Sequence, residues 1–534
     1  MNPNDLPPRR SFLKGALATP LVVASAGVFA TPDAEAASTS IGPSTTTEPY
    51  LKPSIAGVRI VSILTTGDSV GGYRMVGIPD GLGPFRSGHQ EFTLLMNHEL
   101  TLSPPSGPGV VRAHGSSGAF VSRWTINAET LKVVKGQDHT TSPGGVHFWD
   151  VPTKSYKAGT VQWQRFCSGD LAAESAYYAH GVGTQERLYL NGEEVNDGRG
   201  WARVCTGAHT GEAWQLPRLG RMAFENAVAC PHPQIKTIVA CQDDSNAATT
   251  PLPNNGSEVY FYIGTKQGSG HPIERAGLTN GLLYGVQMLV DGKPVAGEDD
   301  LYGLGDSGTG YIGKGRFKLV ELGDVSSVVT GLDFEKLSND KGVTRVQRCE
   351  DGAWDPRRKR QNDYYFVTTA SITTNSRLWR LRFDDIEDPV SGGTVEILLR
   401  GDEGHRMLDN VTVDQLGRVL MDEDPGGNNR IAKLWLYAID TRELIQVAAH
   451  NPRFFDPDSK KPEFLTNDEE SSGIIDVAHI LGEGWFLVDV QSHKVSSDPE
   501  LVEGGQLLAV WIDPDVGFNG SKKNRHDDNG DRRG

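Results

Sequence analysis

Six times over, the chain runs an apolar strand into a polar, mostly acidic tip and returns in a second strand that is usually aromatic. The pairs are "FTLLMNHEL" with "AFVSRWTIN", "RLYLNGEEV" with "GEAWQLP", "TIVACQDDS" with "SEVYFYIG", "YYFVTTAS" with "RLWRLRFD", "RVLMDEDPG" with "AKLWLYAID", and "GWFLVDVQSH" with "GQLLAVWID". A repeat of this kind, rich in Gly turns and poor in helical periodicity, predicts an all-β, six-bladed β-propeller forming a single domain over residues 58–515. Residues 37–57 are expected to be a linker. Residues 265–342 form an insertion between blades that either caps one face or is a solvated loop, and 516–534 read as a disordered polar tail.

Ahead of five of the pairs stands a shorter strand that opens with an acid: Glu174 in "ESAYYAH", Glu225 in "ENAVACP", Glu350 in "EDGAWDP", Asp409 in "DNVTVDQ" and Asp476 in "DVAHILG". The start of one antiparallel strand lies beside the end of the next, so these acids share a face with the polar tips. Glu193 and Glu194 sit side by side on one such tip, in "RLYLNGEEVNDGRG". With the acid-led strands innermost, the carboxylates converge on the central shaft. Carboxylates packed there without partners are destabilising, whereas a hard cation such as Ca²⁺ takes about six to eight oxygen ligands. Taken singly, each acid reads as well as a turn residue or a partner of the neighbouring blade. Five in one register favour the metal.

The N-terminus fixes the expected compartment. "PPRRSFLKGALATPLVVASAGVFATPDAEA" joins a twin arginine (Arg9, Arg10) to Phe12-Leu13-Lys14, a short apolar run broken by Pro20, and an Ala34-Glu35-Ala36 cleavage signature. Residues 1–36 therefore read as a twin-arginine export signal, placing the mature protein in the periplasm or outside the cell. No later segment is apolar enough to span a bilayer as a helix. With 52 Lys+Arg against 68 Asp+Glu the chain carries a net charge of −16, which excludes nucleic acid as a natural partner and suits a carrier of several divalent cations. Its five cysteines show no zinc-ligand spacing, and Cys230 and Cys241 read as buried strand residues or a cross-strand bridge.

Cationic residues among the acids narrow the chemistry. Arg348 stands two residues before Glu350, so strand alternation points both the same way, and Cys349 the other; Arg221 precedes Glu225 by four. A guanidinium beside metal-bound carboxylates suits a phosphoryl group, although each arginine is read equally well as a salt-bridge partner of its acid. At these residues the chain resembles the PhoX-type alkaline phosphatases. The resemblance runs through "LLMNHEL" (94–100), "LYLNGEE" (188–194), "LGRMAFE" (219–225), "RCEDGAWDP" (348–356), "LDNVTVDQLGR" (408–418) and "VDVQSH" (488–493). That family carries twin-arginine signals on six-bladed propellers and hydrolyses phosphate monoesters with calcium and iron. The resemblance implies that Glu193, Glu194, Glu225 and Glu350 are metal ligands, that Arg348 contacts phosphate, and that Asn97, His98 and Glu99 support or extend the ligand set. Glu174, Asp409 and Asp476 join as further ligands on the acid-led pattern, and Arg221 as a supporting cation.

Three positions depart from the family pattern. Gly192 stands where the family has a cysteine ligand to iron, Phe224 where it has His, and Cys349 where it has Pro. The carboxylate set is untouched, so the departures weigh on iron more than on calcium. The sequence thus leads to the expectation of a secreted, monomeric, Ca²⁺-dependent phosphatase of small-molecule phosphate esters, with Arg348 and Glu350 as catalytic residues and a metal-activated water as nucleophile. A lactonase or phytase on the same scaffold, and a non-catalytic extracellular binding propeller with structural calcium, remain the alternatives.

Overall fold

The computed structural model describes residues 36–245, 256–302, 313–458 and 460–518, so residues 1–35 of the stretch read as an export signal, and most of the stretch read as a polar tail, lie outside the described residues. Six blades surround a central shaft. Their innermost strands are Pro79–Arg86, Phe166–Asp170, Phe224–Ala229, Cys349–Trp354, Leu408–Val413 and Glu470–Asp476. Each pairs antiparallel with the apolar strand of its repeat, and in five blades that strand pairs directly with the aromatic one. Blade two differs from the expectation. Its third strand is Gly200–Val204, and "GEAWQLP" supplies the fourth, Ala213–Gln215.

The apolar side chains are buried between blades rather than around one centre. Leu190 and Val204 of blade two meet Phe224 and Tyr260 of blade three, Val488 and Leu508 of blade six meet Leu420 and Leu436 of blade five, and the remaining interfaces follow suit. Six apolar wedges therefore carry the hydrophobic stabilisation, which leaves the inner ends of the blades free to hold polar groups.

Val58–Thr65 closes the ring by pairing antiparallel with the last strand, Gly505–Ile512, so blade six is built from both ends of the chain. The stretch expected as a linker contributes strands as well: Ser38–Ile41 lies along Val58–Thr65, and Leu51–Pro53 edges blade five. The insertion is not a solvated loop in its described residues. Leu282–Val290 forms the fourth strand of blade three, and Lys314–Gly323 pairs with both it and Gly393–Leu399 of blade four, joining two blades at their outer rims. Two of its helices reach the face of the strand tips: at the start of Gly331–Lys341 the Gly331 N–H donates to Asp197 at 2.7 Å, and Glu298 of Glu298–Tyr302 accepts from the Gln347 N–H at 3.0 Å and pairs with Arg377. No helix among the described residues is long and apolar enough to cross a membrane.

Candidate metal centre

A recurring irregularity aims the site. In blades two to five the innermost strand slips register at its first turn: Phe166 pairs with Glu193 but Gly169 with Asn191, Phe224 with Asp243 but Ala227 with Cys241, and the same step follows Cys349 and Leu408. Such a bulge turns an extra residue out of the ladder. The residue after the first paired position is Cys167, Glu225, Glu350 and Asp409 in turn, and all four side chains enter the shaft. Blade one slips after Asp80 and blade six after Ser472, two residues beyond Glu470.

The result is an arc of ligand atoms. Asp80, Glu99 and Cys167 offer atoms within 4.8 Å of one another, as do Cys167, Glu194 and Glu225, and again Glu225, Glu350 and Asp409. Shared members make the three groups continuous. Two guanidiniums lie against the arc: Arg165 sits 2.7 Å from Glu99 and 2.5 Å from Glu194, and Arg348 sits 2.5 Å from Asp244 and 3.2 Å from Glu350. Both arginines are reachable from solvent, with 40% and 33% of their side chains exposed, whereas the acids are buried.

Two positive charges do not balance this many carboxyls. Burial, reinforced by neighbouring acids, pushes Asp80, Glu350 and Asp409 well above the usual carboxylate range; burial also raises Glu194 despite Arg165 beside it. Burial lifts Glu225 to about 8 against the hydrogen bond from Ser168, and Glu470 to about 7, with Asp424 adding to it. The Cys167 thiol is raised by burial and by Asp80. On the Glu470 side, His493 lies 2.8 Å from Glu503 and 3.7 Å from Glu470, and these acids hold it well above its ordinary pKa although burial opposes them. Deeper in the shaft, neither carboxylate oxygen of Asp489 has a hydrogen-bond partner among the described residues, nor has Oδ2 of Asp422. Hard oxygen donors in excess, some of them unpaired, fit a cluster of Ca²⁺ ions, and Cys167 adds one soft donor.

Several expected residues stand elsewhere. Glu193 points out of the opposite side of its strand from Glu194, where Arg199 holds both its oxygens at 2.5 and 2.7 Å; it is not in the arc. Glu174 is exposed in a short 3₁₀ turn, Glu174–Ala176, beyond the far end of its blade's innermost strand. Asp476 ends its strand instead of opening it, about 20 Å from Glu470 at six strand residues, and accepts from the Ala478 N–H. His98 is a core residue stacked on Phe120, with Ser122 at 2.9 Å and Gly77 O at 3.1 Å, and burial lowers its pKa to about 3. Arg221 donates to the Asp197 carbonyl, away from Glu225. Asn97 supports the site from behind, donating to Cys167 O at 2.6 Å. Cys349 turns into the apolar wedge between blades three and four. All five cysteines are free thiols, so Cys230 and Cys241 form no bridge.

A Cβ at Gly192 would lie 2.2 Å from the Cβ of Phe224, so the close approach of the two backbones here requires glycine at 192. Sulfur is nevertheless present, because Cys167 occupies the bulge position of the adjacent strand. The residues missed in the sequence are Asp80, Arg165, Cys167, Asp244 and Glu470. Asp80 lay hidden in the turn-like "PDGLG", and Glu470 in "NDEESSG".

The architecture is that of an all-β propeller, and comparison with solved structures agrees. The chain is similar to PhoX of Pseudomonas fluorescens in complex with vanadate, a transition-state analogue, at 12% identity over 87% of this chain and 96% of that one, with a TM-score of 0.58. A protein of unknown function from Dyadobacter fermentans (9% identity, 86% and 100% covered) and an α-L-arabinofuranosidase of Fusarium graminearum with arabinobiose (9%, 85% and 98%) each give a TM-score of 0.38, too low to carry an argument. No protein-family model matches the chain, and no curated protein matches it in sequence.

Proposed function

We propose that the protein is a metal-dependent hydrolase of phosphate monoesters, exported by the twin-arginine route, whose shaft holds several Ca²⁺ ions. The observation that carries this reading is the continuous arc of buried carboxylates with two solvent-reachable arginines at its edge. The likeness in fold to a phosphatase crystallised with vanadate is consistent with it. Asp80, Glu99, Glu194, Glu225, Glu350 and Asp409 are the oxygen donors, and Cys167 is the donor through which iron would enter. When bound, such ions neutralise charge on the phosphoryl group and lower the pKa of water beside it. Arg348 and Arg165 supply what the protein itself adds: paired N–H donors that orient the phosphoryl oxygens and meet their charge as it shifts. Asp244 and Glu350 anchor the Arg348 guanidinium through Nε and Nη2, which leaves Nη1 for the substrate.

The test is Arg348→Lys, which keeps the charge and loses the planar fork. Hydrolysis of p-nitrophenyl phosphate with calcium supplied is expected to fall by roughly one to two orders of magnitude, about 1.4–2.7 kcal/mol at the transition state, with calcium-dependent melting little changed. Unaltered turnover removes Arg348 from the reaction. No turnover by the unaltered protein, with calcium and iron both supplied, refutes the phosphatase reading.

A further inference from the structure

On the face opposite the carboxylate arc, three imidazoles surround one carboxylate. Glu212 closes the turn between the third and fourth strands of blade two. Its Oε1 lies 2.9 Å from His209 Nδ1, and its Oε2 lies 2.9 Å from His271 Nε2 and 3.8 Å from His147 Nε2. The four residues come from separate places in the chain: His147 from the outer strand Val146–Asp150, His209 and Glu212 from the turn, and His271 from the loop that follows the third strand of blade three. His147 stacks on Trp214 at 3.9 Å, and Trp214 Nε1 donates to Glu212 Oε2 at 2.8 Å, which fixes the orientation of both.

We propose that His147, His209, Glu212 and His271 form a second metal site, independent of the shaft, that takes Zn²⁺ or a similar borderline divalent ion and clasps blade two to blade three. The donor set is the argument. Imidazole nitrogens with a single carboxylate suit zinc and are poor ligands for calcium. The spacing also suits it: tetrahedral ligands about 2.0–2.1 Å from an ion lie ~3.4 Å apart, and the atoms of His209, Glu212 and His271 already fall within 4.8 Å of one another. Glu212 orients the rings now, and the ion replaces the protons between them. His271 then releases the long 3.4 Å contact from the Ile273 N–H to its Nδ1, so that Nε2 is free to coordinate. Between 13% and 41% of each side chain is exposed, which leaves a way in for the ion.

The experiment titrates Zn²⁺ into the full mature chain, freed of any purification tag, with excess Ca²⁺ occupying hard sites. The unaltered protein is compared with Glu212→Gln and with His209→Ala/His271→Asn, in which asparagine keeps a cap acceptor for the Ile273 N–H. Expected is about one zinc equivalent lost in each variant or bound at least about tenfold more weakly, with a zinc-dependent rise in melting temperature and a tetrahedral Co²⁺ absorption band seen only in the unaltered protein. Equal zinc stoichiometry and affinity in all three proteins overturns the proposal, whether the shared binding is nil or belongs to Cys167 in the shaft. Circular dichroism establishes that the variants are folded. A variant that fails this check is replaced by His147→Gln, for which the same loss is expected and whose unchanged binding overturns the proposal equally.

Discussion

Glutamine in place of Glu225 is expected to lower phosphate-monoester turnover by at least about two orders of magnitude, some 2.7 kcal/mol, while raising the melting temperature of the metal-free protein at pH 9. The two effects have one cause. Glu225 belongs to two of the three ligand groups, so losing its charge weakens the cluster on both sides. Without metal the same charge is a burden: the carboxyl is buried beside Asp244 and Asp351, which pushes its pKa to about 8. Forcing it to ionise costs on the order of 5 kcal/mol, and for a chain this long that corresponds to a rise of about 5 °C on its removal. Glutamine still accepts the Ser168 hydrogen bond, so the exchange removes charge and little else. A variant less stable than the unaltered protein under chelation contradicts the crowded-carboxylate account.

Chelation is expected to change how stability depends on pH, and the sign follows from the shifts. A carboxyl whose folded pKa is raised costs nothing below its unfolded pKa. Its cost grows as pH climbs from the unfolded to the folded value and is fully present above that. Glu225, raised to about 8, and Glu470, raised to about 7, both act in this direction. The stabilising charge on His493, whose pKa is raised by its acids, is likewise lost with rising pH. The melting temperature of chelated protein should therefore fall from pH 6.5 to pH 9. Below about pH 6.5 the trend flattens, because burial lowers His98, His139 and His450 to about 3 and the unfolded chain then takes protons that the folded chain refuses, which opposes the raised carboxyls. Calcium, binding ionised ligands, should lift the curve most at pH 9. Differential scanning calorimetry with and without calcium reads both arms. A chelated protein whose stability is flat or rises across pH 6.5–9 is the contrary result.

The blade count was legible because each repeat writes its own strand, polar tip and aromatic return in local sequence. The register was not, because a bulge is a matter of pairing. In blade two the bulge position is held by Cys167, and the next Glu along the chain is Glu174, outside the strand; in blade six "ESSGIID" carries an acid at each end, and only the strand's direction tells that Glu470 rather than Asp476 faces the cluster. Alternation along a strand, which correctly turned Cys349 away from Glu350, also separates Glu193 from Glu194 and His98 from Asn97 and Glu99. The resemblance grouped those neighbours together, and the pleat divides them. Closure of the ring by Val58–Thr65 has no local signal at all, since its partner is the last strand of the fold.

The central claim is that the shaft is a calcium centre, and elemental analysis of the purified mature protein tests it most directly, with p-nitrophenyl phosphate hydrolysis followed through exhaustive chelation and calcium return. The expected result is more than one calcium per chain, activity lost with the metal, and at least part of it regained when calcium is restored; any iron found should disappear in Cys167→Ser while calcium stays. A protein that binds no calcium, or that hydrolyses the ester equally well after its calcium has been removed, contradicts the account.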